Sequence, residues 1–264
     1  MTSDLRRRKR QPAADTAVAA STGPLKILSF NIVVGLRTSR PHHYVTQAWR
    51  HVLPSFGAHD TLDRIAGFIK GYDVVAIQEA DAGSLRTRFV NQIAYLAERA
   101  GFAHWQTGIN RDLGVIAKHC LGIMSHLSLS ASHHALPGLI PGRGMLDVTL
   151  SHSSGPLRLI VTHLSLTRSA RARQLELIAE VVEDAPRVVV VGDLNCDPHE
   201  LRRHAALRRV DLQPQILAPT YPSWRPTRCY DQAMVRGPMR VTHAGVVQEH
   251  LSDHLPIALH LDLD

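Results

Sequence analysis

The chain has 264 residues, 44% of them hydrophobic, which is enough to bury one sizeable core. Its formal charge of +7 suits a phosphate-bearing partner, nucleic acid or an anionic membrane surface. Cys120, Cys196 and Cys229 are widely spaced and form no CxxC pair, which argues against a disulfide framework or a thiolate zinc site. No secretory h-region and no membrane-spanning apolar run is present, so a soluble, cytoplasmic protein is expected.

Residues 1–24 carry Arg6, Arg7, Arg8, Lys9 and Arg10 against Asp4 and Asp15, and contribute +3 of the net charge. They lack periodicity and read as a disordered basic leader, leaving a mildly basic domain over 25–264. Strands are predicted at LKILSF (25–30), DVVAIQ (73–78), GVIA (114–117), LGIMS (121–125), MLDVTL (145–150), LRLIVTH (157–163), RVVVVG (187–192), YDQAMV (230–235), VTHAGVV (241–247) and PIALHL (256–261). Between them, DTLDRIAGFIKG places Leu62, Ile65, Phe68 and Ile69 on one helical face. A helix capped by Ser84 is predicted over LRTRFVNQIAYLAERA with Phe89, Ile93, Leu96 and Ala100 inward, and another over SARARQLELIAEVVED. The stretch from Val34 to Ala58 has no legible pattern. Strands interleaved with amphipathic helices, without repeats or linkers, indicate one α/β or α+β domain of two packed sheets.

Polar groups stand where the apolar runs stop. Asn31 follows LKILSF, Glu79 follows DVVAIQ, His163 ends LRLIVTH, Asp193 and Asn195 follow RVVVVG, Asp231 lies in YDQAMV, and Ser252, Asp253 and His254 precede PIALHL. Each alone reads as a turn, cap or core residue. Together they form a set, because functional groups gather on strand ends and the loops that follow.

The blocks LKILSFNI, DVVAIQEAD, VTHLSL, VVVVGDLNCDP, RCYDQAMV and LSDHLPI resemble, in this order, those of the endonuclease/exonuclease/phosphatase superfamily. The resemblance spans Leu25 to Ile257 and implies a four-layer αββα sandwich of two mixed sheets flanked by helices. It also implies a divalent cation, magnesium with manganese as the alternative. Magnesium takes hard oxygen ligands, which points to Glu79, with Asn31 beside it and Asp253 as a further contributor. By resemblance Asp193 orients or deprotonates the attacking water, Asn195 donates to a phosphoryl oxygen, Asp231 holds His254, and His163 contacts phosphate or assists the leaving group. The general base is Asp193 or His254. Arg143 and Arg171 carry forks suited to bidentate phosphate contact. One departure stands out: where many relatives place a Gly-Asn pair, this chain has Cys120 and Leu121, which leaves His119 or Arg143 to meet the phosphate.

Three functions follow. The first is a phosphodiesterase or phosphatase acting on a lipid headgroup or other small phosphoester, because the HLSL block and the Arg-rich helix start after it look like those of small bacterial members. Leu136, Leu139 and Ile140 in HHALPGLIPGRG either make a peripheral membrane contact or pack on the core. The second is a DNA nuclease, disfavoured by the mild charge of the body and the lack of aromatics interleaved with basic residues. The third is a non-catalytic phosphate-binding module, disfavoured because the whole set of polar residues is present.

Overall fold

The computed structural model describes residues 23–35, 58–138 and 141–263. Residues 1–22 of the leader, the 36–57 stretch and the Leu139–Ile140 tip lie outside the described residues, and so does the membrane contact proposed for that tip.

Twelve strands form two six-stranded mixed sheets. In chain order they are β1 Leu25–Asn31, β2 Val74–Asp81, β3 His104–Asp112, β4 Lys118–Ser125, β5 Leu129–Ala135 and β6 Gly144–Leu150. The rest are β7 Leu157–His163, β8 Val188–Asp193, β9 Gln213–Pro214, β10 Asp231–Arg236, β11 Arg240–Val246 and β12 Ile257–Asp262. The first sheet runs β11-β12-β1-β2-β4-β3, the second β5-β6-β7-β8-β10-β9. Helices α1 Ala58–Ile69 and α2 Gln92–Ala100 cover the first sheet through a core that includes Ile65, Ile69, Ile93 and Leu96. Helices α3 Arg168–Val182, α4 Pro198–Arg203 and α5 Ala205–Arg209 cover the second through Leu175, Ile178 and Leu207. Between the sheets, Ile27, Ala76 and Leu121 face Leu159, Val161, Val191 and Ala233. The result is the αββα sandwich, and no described helix is long and apolar enough to cross a membrane.

The run Val188–Val191 is buried on both faces, because β8 lies between β7 and β10 and under helices. Gly192 sits at φ 145°, where a Cβ would stand 1.9 Å from the Thr162 carbonyl oxygen on β7. Only glycine lets β7 and β8 meet this closely just before Asp193.

Two expectations need correction, and the strands β3 and β5 were not predicted. GVIA is not a strand but part of the β3–β4 turn, with Val115 and Ile116 exposed. Ser84 caps only a 3-10 turn at Leu85–Thr87; α2 starts later, where the Asn91 side chain accepts from the amides of Ile93 and Ala94, so Phe89 is 65% exposed. The strands β3 and β5 carried no apolar signal because each is an edge strand with mostly exposed side chains.

Candidate active site

The inter-sheet core stops at one end in polar side chains, and strand register explains how. On β7, β8 and β10 the inward residues run Leu159–Val161–His163, Val189–Val191–Asp193 and Val235–Ala233–Asp231. His163 pairs with Asp193 in parallel register, and Asp193 with Asp231 in antiparallel register. The three side chains therefore stand abreast on neighbouring strands and face the first sheet.

The first sheet answers from β1 and β2. Asn31 ends β1, and its Nδ2 donates to Glu79 Oε1 and to Asp193 Oδ2, both at 3.2 Å, so one amide ties carboxylates from the two sheets together. Its Oδ1 accepts from the Val33 amide at 3.2 Å. Glu79 lies where the β2–β4 register slips between Ile77 and Ala80, in a left-handed conformation at φ 54°. A bulge of this kind re-aims a side chain at a local cost in strain.

His254 arrives from the segment before β12. Its Nδ1 lies 2.8 Å from Asp231 Oδ2, and its Nε2 is 3.8 Å from Asp193 Oδ2. The segment is latched, since Ser223 donates to the carbonyls of Asp253 and Ser252 and the Leu255 amide donates to Thr220. The Tyr221 ring, 4.7 Å from that of His254 and stacked on Tyr230, covers the imidazole. Neither the latch nor Tyr221 was visible in the sequence, because both come from the irregular loop before β10.

These contacts set the charges. Burial pushes the Asp193 carboxyl up to about 7, with Asp231 and Glu79 acting in the same direction and His254 against it. Burial also opposes the charge of His254, yet Asp231, Asp193 and Asp253 together hold it well above the usual imidazole range. His163 is driven well below that range by burial and then by Arg143, whose Nη1 lies 2.8 and 2.9 Å from the two ring nitrogens. One imidazole is cationic, the other neutral.

Among the described residues, two groups of side chains bring ligand atoms within 4.8 Å of one another: Glu79, His163 and Asp193, and Asp193, Asp231 and His254. In the second, His254 is already spent on Asp231. The first fits a divalent cation, because Glu79 and Asp193 are hard oxygen donors that face one another and raise each other's charge cost, which the more distant His254 only partly offsets.

A cleft of about 490 Å³ opens from this cluster, lined by Glu79, His119, Arg111, Arg143 and His163 with Leu166 on the rim. Arg143 is thus brought to the site. Three other expected residues use their side chains on protein partners, although the Asn195 amide donates to Asp193 Oδ1 at 3.0 Å and Asp253 adds to the field on His254. Arg171 ties down the rim instead, with Nη2 on Glu200 at 3.0 and 3.1 Å and Nη1 on the Leu166 carbonyl at 2.6 Å. Asn195 does not continue an extended strand exit: β8 ends at Asp193, Asn195 turns left-handed at φ 50°, and its Nδ2 donates to the Leu164 carbonyl at 3.0 Å. Asp253 is absent from both ligand groups and accepts from Ser252 Oγ at 3.2 Å.

The family model of the Endonuclease/Exonuclease/phosphatase family matches residues 55–254. Among solved structures, an endonuclease/exonuclease/phosphatase from Beutenbergia cavernae superposes with a TM-score of 0.69 at 22% identity, over 90% of this chain and 71% of that one. The mannosyl-6-phosphatase Bt3783 of Bacteroides thetaiotaomicron gives 0.66 at 14%, over 90% and 99%. TDP2 of D. rerio, complexed with a single-strand DNA product, gives 0.62 at 19%, over 90% and 98%. Likeness at such identities is a likeness of fold. No curated protein matches the chain.

Proposed function

The chain belongs to the endonuclease/exonuclease/phosphatase family, and on that footing we propose that it is a divalent-metal-dependent hydrolase of a lipid-headgroup or other small phosphoester. The observation that carries this reading is the row His163, Asp193 and Asp231, with His254 beside it and Glu79 facing it across the mouth of the sandwich.

Hydrolysis of a phosphoester needs a deprotonated water and positive charge around the phosphoryl oxygens. Asp193 has a carboxyl whose affinity for a proton is raised by burial, which suits the acceptor of the water's proton. His254, cationic and oriented by Asp231, supplies positive charge and a donor to the reacting oxygens. Glu79, with Asn31 beside it, would hold the cation, which when bound adds charge neutralisation at the phosphoryl group. Arg143 reaches His163 from the loop just before β6 and offers its remaining N–H groups to the cleft.

Exposed Leu166 beside the arginines on the cleft rim supports a substrate with an apolar portion, as a lipid has. The purified full chain, with magnesium or manganese and with EDTA, is to be tested on bis(p-nitrophenyl) phosphate, phospholipid vesicles, plasmid DNA and abasic duplex, beside Asp193→Ala. Metal-dependent turnover of the small diester or the lipid, lost in the variant, is expected. Faster cleavage of DNA than of either would replace the lipid reading, and binding without any turnover would leave a phosphate-binding module.

A further inference from the structure

The cleft holds polar groups that this chemistry leaves unused. On β2, β4 and β3, adjacent in the first sheet, Asp81 pairs with His119 and His119 with Arg111. Asp81, His119 and Arg111 thus form a row across three strands, about 5 Å per step, with Glu79 two residues before Asp81 on β2, and Glu79, His119 and Arg111 line the cleft.

The hydrogen state of His119 is set from behind. Buried Asp81 accepts from the amides of Gly83 and Lys118, the hydroxyls of Ser84 and Thr87, and Arg86 Nε at 2.6 Å. Arg86, held in this way, reaches His119 Nδ1 with Nη2 at 3.4 Å. Arginine has only donors, so Nδ1 accepts and the imidazole proton sits on Nε2. Burial, then the charges of Arg86, Arg111 and Arg143, bring the His119 pKa down to about 4 against the opposing pull of Asp81. The ring is a neutral donor with a fixed tautomer.

Arg111, like Arg143, differs from the arginines tied down behind the cleft. Arg86 is paired with Asp81 and Arg171 with Glu200, whereas Arg111 has no carboxylate partner among the described residues. Its side chain lies along Gly142, at φ 116°, where a Cβ would meet Arg111 Cδ at 3.2 Å, so the absence of a side chain there leaves room for the arginine. Glu79 is the only carboxylate among the described residues lining the cleft. The wall beyond it therefore offers donors and positive charge with nothing to neutralise them.

We propose that His119 and Arg111 form a second anion subsite beside the reacting phosphate, so that the substrate carries a further phosphate or carboxylate on the order of 10 Å from the group at Glu79. The proposal rests on the phosphoester-hydrolase reading for its reacting phosphate. Arg111 binds the second anion through its fork, and His119 donates Nε2–H between the two groups without adding charge.

The test measures binding of glycerol 1-phosphate and of glycerol 1,3-bisphosphate to the full chain by titration calorimetry in magnesium, alongside turnover of bis(p-nitrophenyl) phosphate. The bisphosphate is expected to bind about tenfold tighter or more. That ratio should fall toward one in Arg111→Gln and in His119→Leu, and His119→Gln, which keeps an N–H donor, should recover part of it. Equal affinities in the parent chain, or a ratio that survives both substitutions, would overturn the subsite. Failure of turnover with the affinity ratio intact would instead count against the hydrolase reading and uphold the subsite.

Discussion

The two sheets build their halves of the site by opposite means. In the second sheet, His163, Asp193 and Asp231 occupy paired positions of an unbroken ladder. In the first, register slips at Glu79 on β2 and again between Ile109 and Arg111 on β3. On the proposed function, the regular half fixes Asp193, the acceptor of the water's proton, where small errors of placement are expensive. On the same reading, the bulged half carries the groups that would meet a cation and anions, which need to project out of the sheet plane.

That contrast can be broken or sharpened by substitution. In the ladder, Asp193→Asn should lower kcat by a hundredfold or more, while the metal-free protein at pH 8 melts no lower than its parent. The sign follows from the raised Asp193 pKa of about 7: the folded state holds this proton more tightly than the unfolded one, so stability falls as pH rises from about 4 toward 7 and the uncharged amide escapes that loss. A marked loss of melting temperature would show that the carboxylate is structural. Gly192→Ala, one residue earlier, should cost about 3 kcal/mol or more, because its Cβ collides with the Thr162 backbone; denaturant unfolding would show a near-normal midpoint if β7 and β8 can part instead.

In the bulged half, Glu79→Gln is expected to raise the half-saturating magnesium concentration tenfold or more, with a smaller effect on kcat at saturation. An equal loss at all metal concentrations would move Glu79 into the proton chemistry. The smallest effect is on stability. Between pH 6.5 and about 4 the unfolded chain takes up a proton that folded His119 refuses, so stability falls as the pH drops through that window. His119→Asn should flatten the fall by a few degrees in melting temperature between pH 8 and pH 5, and identical curves would mean that His119 is better hydrated than its contacts imply.

The same division governs what could be read from the sequence. Val188–Val191 announces a central strand, and a polar residue that ends an apolar alternation points to a strand mouth, which is how His163, Asp193 and Asp231 could be found. Period-two reading fails at a bulge, since one extra residue reverses which side chains face inward. Arg111 and the support of His119 by Asp81 and Arg86 were hidden for that reason. The edge strands β3 and β5 were hidden by exposure, and the left-handed turn at Asn195 by a backbone choice that Asn tolerates but does not announce. Arg171 looked like a phosphate ligand because composition reveals an arginine but not that Glu200 has taken its fork.

The ladder row has a consequence for how such a protein could diversify. His163, Asp193 and Asp231 come from chain segments separated by helices and long loops, yet their spacing depends on hydrogen bonds between strands and not on the length of what joins them. Loops could therefore be lengthened, shortened or exchanged across generations, changing what is admitted to the mouth, while the row of His163, Asp193 and Asp231 keeps its geometry.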